Sequence, residues 1–371
     1  MRTQSGRLEN GREVLWLNDG TLALAVAPGG GHIAAVRSVA PGAASPLWIP
    51  PWPSHEPDMV TDAMVAAEYG GPPEGRTLAS ILGHSLALDL FGTPSPEEAA
   101  AGVLTHGFFG ARQWRWEAAD GLAGACEDDR SAMRVQRRIR LVGALAWVEE
   151  AITNLSVWDR PIAWQQHVTL GPPWLEDGAF WLAANAERGR AFPQPLGDGS
   201  RLAPGSEGAW PRMPAKDGGT VDYRRLPAAP ATEFAAFRIA PEAAWGYFLA
   251  GNRRLGQVLF YAWPRAVFPW LGIWDERQAR HTAPWNGRTW TRGLEFGASP
   301  FPTNRRELLR QPELWDTPTC AWLPARARVS VRYALGLFAY TGEADAALRW
   351  DGGEVQLWAG GRRVAALPWS P

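Results

Sequence analysis

Lysine, cysteine and long apolar runs are the scarce features of this 371-residue chain. Lys216 is the single lysine among 37 basic residues, and the formal net charge is −1. No strong field therefore favours nucleic acid or an anionic membrane. The arginine bias reads as codon usage in a GC-rich gene, although guanidinium forks can still serve a polar ligand locally. Cys126 and Cys320 are too few and too far apart for a disulfide framework or a thiolate metal site. No segment reaches the roughly 18 uninterrupted apolar residues of a membrane helix. The residues from Met1 to Arg7 lead into no apolar signal core. These absences predict a reduced, cytoplasmic protein without a membrane or nucleic-acid partner.

Common catalytic signatures are missing too. There is no His-Glu-x-x-His, no Walker loop and no Gly-x-Ser-x-Gly elbow. Gly29-Gly30-Gly31 precedes His32, but no helical pattern follows, so a strand turn is favoured over a phosphate cradle. The six histidines are scattered, with no i,i+4 pair. No metal and no cofactor are expected.

What is abundant is tryptophan, at 22 residues. Many stand beside proline or another aromatic, as in Trp48-Ile49-Pro50-Pro51-Trp52, Phe268-Pro269-Trp270, Trp285 and Trp290. An indole offers a flat apolar face and one N–H donor, which suits both sheet packing and the C–H face of a sugar ring. Most of the 22 must serve packing; a few could line a site.

Period-2 alternation dominates the chain. Met133, Val135, Ile139 and Leu141 alternate with Arg134, Gln136, Arg138 and Arg140. Ala327, Val329, Val331 and Tyr333 alternate with Arg328, Ser330 and Arg332. Such runs are half-buried strands. Trp350 to Val355 reads as a hairpin around Gly352-Gly353. Helix signals are confined to Ser95–Ala101 and Thr303–Arg310. The predicted fold is all-β: one large antiparallel β-sandwich spanning 1–371, with a loop-rich insertion around 189–230 and the ligand on the face of one sheet.

Three proton-transfer groups stand in apolar, glycine-flanked runs. His106 lies in Thr105-His106-Gly107, His167 in Trp164-Gln165-Gln166-His167-Val168, and Glu295 in Gly293-Leu294-Glu295-Phe296-Gly297. A desolvated carboxyl has a raised pKa and an imidazole titrates near neutrality, so the two can exchange protons with a substrate. The bland readings are a hydrogen-bonded core histidine for His167 and an ion pair with Arg292 for Glu295.

Four stretches taken in order resemble the aldose 1-epimerase, or galactose mutarotase-like, superfamily. They are Leu22 to Ile33, Thr105-His106-Gly107 with Arg112 and Trp114, Gln166 to Gly171, and Gly293-Leu294-Glu295. The resemblance implies a β-supersandwich and a sugar substrate. It makes Glu295 the base at the anomeric hydroxyl and His167 the acid at the ring oxygen. It implies that His106, Arg112 and Gln166 contact the sugar. The family's hydroxyl-gripping aspartate has Asp275 as its nearest counterpart, beside Trp274, with Asp222 a poorer one. Two alternatives stay open: a carbohydrate-binding sandwich without catalysis, and a glycoside hydrolase or lyase on a related sandwich. The second normally needs two carboxylates, and the sequence offers one. The sequence leaves open the sugar and the oligomeric state.

Overall fold

The computed structural model describes residues 2–194, 196–197 and 199–370; Met1, Pro195, Asp198 and Pro371 lie outside the described residues. The regular structure of the chain is mostly antiparallel strands, gathered chiefly in two large sheets, one of 14 strands and one of eight. Their facing sides share one apolar core, to which Val135, Ile139, Trp164, Val168, Phe237, Leu294, Phe296 and Tyr333 all contribute. The all-β sandwich expected from alternation is the fold observed. No helix among the described residues is long and apolar enough to cross a membrane.

The strand Met133–Val142 shows how alternation places side chains. Its odd positions from 133 to 141 are buried, and its even positions are exposed or half-buried. Arg137 shares the parity of Val135 and Ile139, so it points into the core although it is charged. It meets Glu150, its cross-strand partner, and both side chains are wholly buried. The Glu150 carboxylate also accepts Trp164 Nε1–H at 2.6 Å and Gln166 Nε2–H at 2.8 Å. Gln166 Oε1 accepts from Tyr333 Oη at 3.0 Å and from His84 Nε2 at 2.9 Å. A hydrogen-bonded polar chain thus crosses the sandwich interior. It satisfies groups that would be costly to bury unpaired.

Alternation fades where both faces of a strand are covered. Arg328–Ala339 is almost fully buried in its second half. Its outward residues Ala334 and Phe338 pack with Val355, Leu357 and Trp369. Those partners belong to or adjoin a separate three-stranded sheet, Ala347–Asp351, Glu354–Ala359 and Arg362–Pro368. The hairpin at Gly352-Gly353 is where the sequence places it, but this covering sheet was not expected. Two short helices, Pro96–Ala100 and Arg305–Arg310, occupy the two stretches with helix signals, and Ser95 forms the capping box its sequence suggests. The 189–230 stretch is less irregular than expected. Ala186–Ala191, Glu207–Ala209, Arg212–Pro214 and Thr220–Asp222 extend the edge of the larger sheet.

The strand Arg160–Leu170 sits centrally in the larger sheet, between His84–Asp89 and Trp290–Gly297. It is buried from Ile162 to Leu170. Its even residues fill the inter-sheet core. Its odd residues face a second aromatic cluster built from loops, including Trp48, Trp52, Phe91, Trp274 and Trp285. A cavity lies between the sheet and this loop layer.

Several histidines are buried as neutral bases. Burial lowers His32 and His84 to about 3 and His106 to about 4. Each titrates near 6.5 once unfolded. The unfolded chain therefore binds more protons below that value, so stability is complete near neutrality and is lost as pH falls through 6.5 toward 4. Glu295 and Glu233, raised by burial, act with the opposite sign, but they are two carboxyls against four imidazoles, since burial lowers His167 as well. The melting temperature is expected to fall steadily from about pH 7 to about pH 5. A flat scanning-fluorimetry profile over that window would contradict neutral burial.

Candidate active site

The strands Arg160–Leu170 and Trp290–Gly297 pair antiparallel with His167 directly opposite Glu295. Cross-strand partners share a sheet face, so register alone brings the imidazole and carboxyl together. His167 Nε2 lies 3.2 Å from Glu295 Oε1. On the other side of the ring, His167 Nδ1 is 2.9 Å from Thr169 Oγ1. Space for the carboxyl comes from glycine. A Cβ on Gly293, two residues along on the same face, would collide with the Glu295 carboxyl. This is the physical reason for Gly293; at Gly297 a Cβ would instead strike Gln165 and the Trp164 carbonyl.

His106 arrives from a loop. It and Gly107 both adopt the left-handed region, with φ of 65° and 74°. The turn aims His106 Nδ1 at the Phe91 carbonyl, 2.5 Å away. That bond fixes the Nδ1–H tautomer and leaves Nε2 free to accept. The His106 ring meets the His167 ring edge-on, centroids 4.9 Å apart. A Cβ on Gly107 would run into the Leu88 carbonyl. Gly107→Ala should therefore cost about 1–3 kcal/mol from backbone strain alone, more with the clash, and should displace His106. A melting temperature equal to wild type would show that the turn tolerates a side chain.

Trp274 completes the floor, its ring 6.0 Å from that of His167. Trp48 and Trp285 stack at 6.3 Å, with Trp52 edge-on to Trp285 at 4.9 Å. The Arg280 guanidinium lies over Trp285 and Trp274, 4.9 and 5.6 Å from their ring centroids. It also reaches Glu74 and Glu276, each at 3.4 Å. The space among these side chains, about 680 Å³, opens to solvent at its mouth.

His106, His167, Glu295 and Trp274 line this one cavity. Gln166, Asp275 and Arg112 do not, and the expectation that they contact a ligand there is corrected. Gln166 is adjacent to His167 and so points to the opposite face, into the inter-sheet polar chain. Asp275 is adjacent to Trp274 and likewise faces inward, where Arg292 clasps it with bonds of 2.7 and 2.8 Å. The same parity removes the Arg292–Glu295 ion pair, because residues three apart on a strand lie on opposite faces. Arg112 is tied to Asp128 at 2.9 Å and sits over the Phe108 ring. Asp222 is bound to Arg224, also outside the cavity. Sequence reasoning missed Arg280, Glu74 and Thr105 as lining groups. They come from loops without periodicity.

Burial pushes the Glu295 carboxyl well above its ordinary value. Burial, and then the adjacent His106, push the His167 imidazole well below its own. Both directions disfavour isolated charge. The pair is held net neutral, with one proton shared between an oxygen and a nitrogen. Such a unit can give a proton to one atom of a bound molecule and take one from another.

No protein-family model and no curated protein matches the sequence. Solved structures do match the fold. A protein from Klebsiella pneumoniae described as a candidate aldose 1-epimerase superimposes with a TM-score of 0.67 at 13% identity, over 91% of this chain and 84% of its own. A galactose mutarotase-like protein from Clostridium acetobutylicum gives 0.60 at 12% identity, over 91% and 98%. One from Lactobacillus casei gives 0.53 at 13%, over 88% and 100%. The chain therefore has the galactose mutarotase-like fold.

Proposed function

We propose that this protein, on a fold it shares with galactose mutarotase-like proteins, interconverts the anomers of a reducing sugar. The observation that carries the reading is the His167–Glu295 pair, 3.2 Å apart and lining an open cavity. A cyclic hemiacetal carries its hydroxyl and ring oxygen on the same carbon. Ring opening needs a proton removed from the hydroxyl and one delivered to the ring oxygen. Two groups that share one proton can do both without leaving a net charge in a buried site.

In the forward step Glu295 takes the proton from the C1 hydroxyl, and a C1=O double bond forms. The bond from C1 to the ring oxygen breaks, its electrons pass to that oxygen, and His167 supplies the proton. This direction needs the shared proton on His167 at the moment of opening. The burial directions favour it on Glu295 in the free protein, and proton transfer across the 3.2 Å contact interconverts the two states. In both states His167 Nδ1–H donates to Thr169, so the ring need not turn. Rotation about C1–C2 presents the other carbonyl face. Closure then returns both protons by the reverse route. His106, with Nε2 free, would accept from a sugar hydroxyl beside the reacting centre.

The test is direct. Freshly dissolved α-anomers of a broad sugar panel are mixed with the protein, and optical rotation or the anomeric proton signal is followed. At least one sugar should equilibrate faster in proportion to protein concentration. If none outpaces the blank, the epimerase reading fails. A second reading, carbohydrate binding without chemistry, is supported by the Trp48, Trp274 and Trp285 wall, which would hold a sugar ring unaided.

A further inference from the structure

We infer that the cavity selects a reducing sugar poor in hydroxyl groups, a deoxy or O-alkylated aldose, and that Trp274 Nε1 and Thr105 Oγ1 hold its remaining hydroxyls. This rests on the anomer-interconversion reading of the same site and adds the substrate class.

Two observations support it. The first is the wall. Leu78, Ile81, Phe91 and Phe234 line the cavity together with the indoles of Trp48 and Trp285. A fully hydroxylated aldose would press several O–H groups against carbon there. Each hydroxyl desolvated without a partner costs on the order of tenfold in affinity. A methyl, a methylene or an alkoxy carbon loses nothing against the same wall and gains from leaving water.

The second is the supply of free donors and acceptors. Away from the reacting trio, Trp274 Nε1 and Thr105 Oγ1 are buried atoms of lining residues that have no hydrogen-bond partner among the described residues. Other buried side-chain atoms also lack partners, but among the described residues Trp274 and Thr105 are the two such residues that line the cavity, so a ring seated there is the nearest source of partners for them. Arg280 and Glu74 are the remaining charged lining groups. They are more exposed, at 22% and 44%, and already face each other. They suit the rim rather than the hydroxyls of a ring seated on His167.

The probes are 6-deoxygalactose and 6-deoxyglucose, their 2-deoxy and 3-O-methyl counterparts, and the parents galactose and glucose. Binding is read by tryptophan fluorescence and turnover by anomeric proton exchange, on wild type, Trp274→Phe and Thr105→Val. The wild type should bind and anomerise at least one deoxy or O-methyl sugar about tenfold better than its parent. Trp274→Phe and Thr105→Val should each weaken that binding about fivefold or more at unchanged melting temperature. Parent sugars handled as well as the modified ones would overturn the inference and leave the epimerase reading standing. Preferential binding of the modified sugars with no turnover would uphold the ligand class and sink the epimerase reading. No binding and no turnover across the panel would sink both. A lowered melting temperature in the variants, with binding intact, would assign the two residues to packing and overturn their role.

Discussion

Replacing Glu295 by glutamine is expected to slow anomer interconversion by about 10²–10⁴ while sugar affinity and melting temperature stay near wild type. The amide has the shape of the carboxyl, and the space left by Gly293 accommodates it equally. Backbone placement survives as well, because Gln165 Nε2 donates to the Glu295 carbonyl rather than to its side chain. What is lost is the shared proton, since an amide neither takes nor gives one at neutral pH. His167→Gln should produce a loss of similar size, and the double variant should be little worse than either single, as expected of two groups acting as one unit. Rates come from polarimetry and affinities from fluorescence titration. A Glu295→Gln protein that turns over sugar at the wild-type rate would remove this carboxyl from the chemistry. If the protein only binds carbohydrate, no wild-type turnover exists to lose, and the two readings separate.

Glu150→Leu should destabilise the fold by about 3–5 kcal/mol. Arg137 would then be a buried cation without its partner, and Trp164 Nε1 and Gln166 Nε2 would lose their acceptor. Combining it with Arg137→Met should recover much of the loss, because an apolar pair of similar volume removes the uncompensated charge. Urea denaturation of the single and double variants measures both. A single variant within about 1 kcal/mol of wild type would mean that the interior tolerates the orphaned guanidinium.

Much of this was legible from alternation. The strands around Met133 and Val331 appear where the period-2 pattern puts them, and the pattern also gives sidedness. Sidedness is where the sequence reading of the site went wrong. His167 and Gln166 are neighbours on one strand, as are Trp274 and Asp275, so neither pair could face a single ligand. Applying the period to site residues as strictly as to core residues would have excluded Gln166 and Asp275. It would also have flagged Arg137, which sits in the apolar register and was passed over. Arg280 and Glu74 were beyond reach, since they meet across 206 positions of sequence and neither belongs to a periodic element. The covering C-terminal sheet was hidden for a related reason. A strand buried on both faces loses the alternation that marks it.

The His167–Glu295 register has a consequence for how this protein could diversify. His167 and Glu295 are fixed by ladder hydrogen bonds at the centre of a large sheet, whereas His106, Trp48, Trp285 and Arg280 are delivered by loops. Loops accept insertion and exchange far more readily than central strands. On the proposed function, the pair that does the chemistry is thus insulated from the part that would choose the ligand. Grafting new segments into the 48–81, 91–106 and 278–288 connections should alter ligand selectivity while leaving the His167–Glu295 pair in place.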